Sequence, residues 1–397
     1  MSLSDFFRTL PARLARVTTG GKIIREIDGL RFIAIFLVVV THLCERFTRN
    51  TSIAFTPGPE YDIITFIANR GFMGVHIFFV VSGFVLGLPF ASYYLHGTRK
   101  VSLRSYFWRR LTRLEPPYII VMTLLAASLV AMGYYSFKDM LPHYLASLVY
   151  LHNILYDSWS IINPPVWSLE IEVQFYTLAP FLALFFFRIK PKLLRRCVFV
   201  SFILVWMALQ QYLGVMKEFS RLSLIGHLHL FLAGFILVDI YLTEWKEGIT
   251  KREIFNYLSI LAYASATYFW SWEHFFANRL VFALSIFLLV YSVFRSTWVN
   301  RFITLPWITA IGGMCYSIYL IHLPLIEFFI RVTRHIAVTS IFTVNLLIQF
   351  ALLVPVLLFF SVLFFLAIEK PCMYKDWPMR LKNYLTGGKS VGSREAH

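Results

Sequence analysis

An arginine and a histidine share one apolar stretch near the start of the chain. Residues 27–47 read IDGLRFIAIFLVVVTHLCERF, with Asp28 and Arg31 towards one end and His42 towards the other. Eleven residues separate Arg31 from His42. At about 100° per residue the two side chains share a helix face, roughly 16 Å apart along the axis. Ionisable groups in a membrane-length apolar segment are costly to bury and mark function. The cation can hold an anionic ligand. A neutral imidazole, with an ordinary pKa of about 6.5, can take a proton from a hydroxyl or act as a nucleophile.

Other candidates lie far away in sequence. WSLEIEVQFY carries Trp167, Glu170 and Glu172, His76 opens a second apolar run, and His322 sits in YSIYLIHLP. If successive segments alternate in direction, these residues reach the depth of His42, so one shared site is expected. Such a site would draw on His42, Glu172, His76, Trp167, Glu170 and His322. Glu170 and Glu172 are about 200° apart on a helix, so at most one faces that site and they form no carboxylate dyad. Arg109, Arg110 and Arg113 make one cationic helix face beside Trp108. Guanidinium forks suit phosphate, so these three, with Arg31, are expected to bind a nucleotide-like donor. Each residue has a plainer reading: the arginines as a membrane anchor, His322 as an interhelical hydrogen bond, Glu170 as a solvated charge. Ser82 reads as a packing residue before an acyl carrier. His227 and His229 point apart on a helix, and the four scattered cysteines have no metal-like spacing, so no metal site or disulfide framework is expected.

Membrane-spanning helices must position these groups. Of 397 residues, 58% are hydrophobic and 15% charged, against about 25% charged in soluble domains. The fold class is therefore an all-α polytopic membrane protein. Ten spans are expected at about 28–46, 71–95, 114–133, 168–187, 197–216, 224–243, 254–271, 276–294, 305–328 and 341–368. With the N-terminus in the cytoplasm, alternate loops hold most of the 37 Lys and Arg on the cytoplasmic side. Both termini are then cytoplasmic, and the net charge of +16 reports topology, not nucleic-acid binding. The stretch 144–155 is apolar but too short to span, so a re-entrant or interfacial helix is expected there. Residues 1–26 are expected to form a basic cytoplasmic segment without a cleavable signal peptide, 27–372 a membrane domain, and 373–397 a basic cytoplasmic tail. No transporter-like inverted repeat is visible.

Taken in order, these motifs resemble the membrane acyltransferase-3 family across about residues 24–372. The Arg-x10-His pattern is met by Arg31 and His42. GVDLFFVLSGF of the family appears as GVHIFFVVSGF (Gly74–Phe84), and RxxR as Arg110 and Arg113 before Pro116-Pro117-Tyr118. WSLSVEEQFY appears as WSLEIEVQFY, YSLYLIHLP as Tyr316–Pro324, and IExP as Ile368–Pro371. His76 stands where the family commonly has Asp, Val173 where it has a second Glu, and Glu170 where it has Ser. His76 and Glu170 either compensate for one another or retune the acceptor pocket. No fused esterase-type domain is expected after the last span.

The resemblance implies an O-acyltransferase in a bacterial plasma (inner) membrane. The donor would be acetyl-CoA from the cytoplasm. The acceptor would be a hydroxyl of a cell-surface or exported glycan, free or lipid-linked, such as a surface polysaccharide or lipopolysaccharide O-antigen. Arg109, Arg110 and Arg113 would hold the CoA phosphates, Arg31 would guide the pantetheine arm, and His42 would serve as general base or acyl relay. Glu172 would orient His42 or bind the sugar. A small secreted metabolite is the alternative acceptor. A glycan transporter or a non-catalytic membrane receptor are the alternatives of other classes.

Overall fold

A computed structural model describes residues 3–17, 23–51, 62–214, 222–245, 247–271, 275–374 and 376–379. In chain order its helices are α1 (Leu3–Leu14), α2 (Arg25–Asn50), α3 (Ile63–Asn69), α4 (Met73–His96), α5 (Leu103–Ala131) and α6 (Phe137–Leu148). They continue as α7 (His152–Tyr156), α8 (Trp167–Phe187), α9 (Lys192–Tyr212), α10 (Leu224–Thr243), α11 (Ile254–Phe269) and α12 (Phe276–Arg295). The last are α13 (Trp298–Ile303), α14 (Pro306–Gly313), α15 (Cys315–Thr333), α16 (Phe342–Phe364) and α17 (Lys370–Cys372). Among the described residues there is no β-strand. The tail expected at 373–397 is described only to 379.

Nine of the described helical segments are long and apolar enough to cross a membrane: α2, α4, α5, α8, α9, α10, α12, α15, and α16 with its continuation to Cys372. The span expected at 254–271 is α11. At 16 residues it falls short of that length and packs along α12. The span expected at 305–328 is broken into α14 and α15. Gly312 and Gly313 weaken the helix there, and Met314 leaves helical geometry at φ −101°, ψ 19°.

Burial separates an inner ring from a lipid-facing one. In α2, α4 and α10, 78% of the most apolar window is buried inside the protein, against 22% in α9 and α16. Small residues allow the inner helices to touch backbone to backbone. A Cβ on Gly83 would stand 2.1 Å from the Phe231 carbonyl oxygen, and one on Gly234 2.2 Å from that of Val80, so α4 and α10 interlock reciprocally. A Cβ on Gly74 would meet the Ala34 carbonyl oxygen at 2.3 Å, which seats α4 equally closely on α2. The helix carrying Arg31 and His42 is thus held against α4, α14 and α15 in the interior.

The stretch 144–155 falls in a short helical hairpin of α6 and α7, neither long enough to span. Ser136 caps the start of α6 by accepting from the Asp139 amide at 3.2 Å. The helix then runs antiparallel to α5: Tyr144 meets Thr123 at 2.7 Å, and Tyr118 donates to the Ser147 carbonyl at 2.9 Å. The chain turns at Tyr150 (φ 58°), whose ring stacks on Tyr118 at 4.8 Å. It returns through α7, whose Asn153 amide donates to Glu170 at 2.9 Å. The short helical pair therefore runs back along α5 and ends packed on the start of α8.

Candidate active site

The arginine-bearing ends of α2 and α5, with the start of α15, enclose a cavity of about 490 Å³. Its mouth carries Arg16, Arg109, Arg110 and Arg113, and Arg31 lies on its wall. Two of these cations share one buried carboxylate: Asp28 lies 2.8 Å from Arg16 and 3.1 Å from Arg31. Burial, and then the neighbouring Arg31, lower the Arg16 pKa from its ordinary value, with Asp28 opposing. The Arg110 guanidinium lies over the Tyr106 ring, 3.7 Å from its centroid, and donates to the Tyr106 carbonyl at 3.0 Å. Stacked in this way, the fork keeps its planar geometry at reduced entropic cost.

Arg113 is placed by the end of the last long helix. Residues Phe365–Glu369 form a π-helical turn, a distortion that recurs at functional sites. It carries Glu369 to the Ser317 amide at 3.0 Å and hydroxyl at 2.5 Å, and its other oxygen lies 3.9 Å from Arg113. Glu369 and Asp28 answer only part of the positive charge. The mouth keeps an excess that suits phosphate.

At its far end the cavity is walled by Phe79, Ser82, Ser168, Glu172 and Tyr319. Ser82 donates to Glu172 at 2.5 Å, a length typical of a hydroxyl bonded to a carboxylate. Beyond that wall, Tyr319 donates to the Pro165 carbonyl and lies 3.0 Å from the Ser168 hydroxyl. Among the described residues, neither His42 nor His322 lines the cavity.

His42 and His322 form their own pair. His322 Nε2 lies 3.1 Å from His42 Nδ1, and the ring centroids are 4.9 Å apart. The hydrogen-bond network assigns the tautomers. His322 Nδ1 is 2.8 Å from the Tyr319 carbonyl and 3.2 Å from that of Ile318, so it carries the proton and leaves a lone pair on Nε2. His42 Nδ1 is 2.9 Å from the Val38 carbonyl. It is therefore the donor towards both Val38 and His322. His42 Nε2 then holds the lone pair, the form a general base requires.

The expected single site is divided. Arg31, Arg109, Arg110, Arg113 and Glu172 meet at the cavity, and His42 joins His322 outside its lining. His76 enters an aromatic cluster, 5.5 Å from His227 and 4.9 Å from Phe282, and Trp167 packs against His227 at 5.7 Å. Glu170 takes the Asn153 amide and supports the hairpin of α6 and α7. The Ser82–Glu172 bond was not foreseen from sequence. Its signal was present: Ser82 in SGF and Glu172 in WSLEIE were both motif residues, but nothing in their spacing paired them.

Among the described residues, no group of three or more His, Cys, Asp or Glu is arranged to hold a metal. Residues 24–368 match the family model described as an acyltransferase domain. The chain is also similar to the O-acetyltransferase OatA of Staphylococcus aureus strains NCTC 8325, COL and MRSA252. Each is 25% identical over 326 residues, covering 76% of this chain and 50% of the relative. The chain thus matches about half the length of these curated relatives. No solved structure matches it.

Proposed function

The chain belongs to the acyltransferase-3 family, and from that premise we propose that it moves an acetyl group from cytoplasmic acetyl-CoA to a glycan hydroxyl at the opposite membrane face. The membrane is a bacterial plasma membrane in this reading, with the arginine end cytoplasmic. Arg109, Arg110 and Arg113 hold the CoA phosphates and Arg31 guides the pantetheine arm. A volume of about 490 Å³ lies in the usual range for a small-molecule site. Beyond the wall, His42 Nε2 takes the proton of the acceptor hydroxyl. His322, accepting from Nδ1, holds the ring in that tautomer and stabilises the positive charge that develops. His76, Trp167 and the neighbouring aromatic rings shape the acceptor side, since sugar rings stack their apolar faces on aromatics.

One observation carries the reading. A cationic cavity runs from the arginine end of α2 to Tyr319, and an oriented imidazole lies past it at the other end of the same helix. The direct test uses vesicles containing the purified protein. Labelled acetyl-CoA is supplied on the side of the arginine end and the glycan is enclosed on the other. Label on the enclosed glycan is expected. Label that stays with the donor, or free acetyl-CoA crossing the bilayer, would refute the proposal.

A further inference from the structure

We infer that Arg16 is a donor-binding residue, a guanidinium supplied by the segment before the acyltransferase domain and directed at a phosphate of the acyl-CoA donor; this rests on the acyl-CoA reading of the same cavity. The family match begins at residue 24, so Arg16 lies outside the matched domain. It nevertheless lines the same cavity as Arg31, Arg109, Arg110 and Arg113, and so does Val17. The segment is fastened there by three contacts. Leu14, at the end of α1, is 2% exposed, and α1 packs on α14. Lys370 of α17 donates to the Arg13 carbonyl. A Cβ on Gly313, at the break before α15, would lie 3.6 Å from the Arg16 backbone nitrogen, an ordinary van der Waals contact. Together they set the Arg16 side chain beside Asp28.

The ion pair leaves this guanidinium with donors to spare. Arg16 meets Asp28 through Nε, 2.8 Å from one carboxylate oxygen and 3.0 Å from the other. Among the described residues, neither terminal nitrogen of Arg16 has a hydrogen-bond partner. Asp28 thus orients the group, and the two terminal nitrogens keep the paired-donor edge that suits a phosphate. The charge balance agrees. Asp28 faces two guanidiniums, Arg16 and Arg31, so the trio carries a net positive charge. Burial and then Arg31 disfavour the Arg16 cation, Asp28 opposes them, and Arg113 adds to them. A phosphate at this point relieves the repulsion among the arginines, which a neutral ligand does not. Asp28 keeps its contact with Arg31 at 3.1 Å, so turning Arg16 towards a ligand leaves no buried carboxylate unpaired.

The test measures binding to the full chain by calorimetry with two probes. One is acetyl-CoA; the other is adenosine 3′-phosphate 5′-diphosphate, which has all the phosphates of CoA and no pantetheine. Arg16→Gln should weaken both by about 10-fold, as for loss of one charge-assisted contact. Arg16→Lys keeps the charge but not the fork and should recover part of that loss. Arg13→Gln removes the same charge from an exposed side chain of the same segment and should bind both probes as the wild type does. Unchanged affinity for either probe in Arg16→Gln overturns the inference. Equal losses in Arg16→Gln and Arg16→Lys, the mark of a purely structural side chain, also overturn it. So do equal losses in Arg16→Gln and Arg13→Gln, the mark of general charge. If Arg16→Gln does not fold, Arg16→Lys carries the test, and wild-type affinity for both probes in it is the overturning result. A wild-type protein that binds neither probe would instead fail the acyl-CoA reading of the cavity itself.

Discussion

His322 Nε2 lies 3.1 Å from His42 Nδ1, bringing together side chains 280 residues apart in sequence. The contact fixes which nitrogen of His42 carries the lone pair, so the two residues should fail differently when altered. His42→Ala should lower turnover by about 100- to 10,000-fold, the usual contribution of a general base. His322→Phe keeps the ring volume but removes the acceptor. It should lower kcat by about 10-fold with little change in KM for the donor. Steady-state kinetics with varied acetyl-CoA distinguish the two, and an unchanged kcat in His322→Phe would remove it from the mechanism.

Glu369 lies 3.9 Å from Arg113 and is expected to act on the donor through it. Arg113→Ala should raise KM for acetyl-CoA by about 10-fold or more, as expected for loss of a charge-assisted contact, with kcat largely preserved. Glu369→Gln should leave the guanidinium less well placed and raise KM by a smaller factor. Binding of CoA measured by calorimetry gives the same comparison without turnover. Equal affinity in wild type and Arg113→Ala would exclude Arg113 from the phosphate site.

The two glutamates of α8 separate structure from chemistry. Glu170→Gln weakens the bond to the Asn153 amide and should lower the melting temperature with transfer retained in the folded fraction. Glu172→Gln keeps the size of the side chain but loses the carboxylate to which Ser82 donates, and should lower transfer by about 100-fold or more at near-normal stability. Thermal melts run beside activity assays test both arms, and the reverse pattern would exchange their roles.

The orientation can be measured directly. In a chain with its four cysteines replaced, Arg99→Cys should react with a membrane-impermeant thiol reagent only from the cytoplasmic side. His335→Cys should react only from the opposite side. The reverse labelling would turn the whole topology over.

Most of the architecture was legible in the sequence because a bilayer demands long apolar helices with internally satisfied backbones. The shared face of Arg31 and His42 follows from helical period alone, and the short helices near 144–155 from an apolar stretch too short to span. The break at Met314 was missed because hydropathy is blind to a change of helix direction within an apolar run. The site was harder to read. Depth along a span was readable, but facing was not: Glu172 and His42 seemed to converge by level, yet Glu172 turns to Ser82 on α4 while His42 turns to His322 on α15. Which neighbour a helix face meets is set by close contacts such as those at Gly74 and Gly83, and no single segment encodes them.

The Tyr319 side of the arginine cavity has a bioenergetic consequence in the acyl-transfer reading. An aqueous tube from one membrane face to the other would let ions dissipate the transmembrane potential each time donor left. Tyr319, on the cavity wall, bonded to Pro165 and touching Ser168, is expected to fill that path with protein hydrogen bonds in place of water. Tyr319→Gly is therefore expected to raise ion leak across vesicles holding the protein.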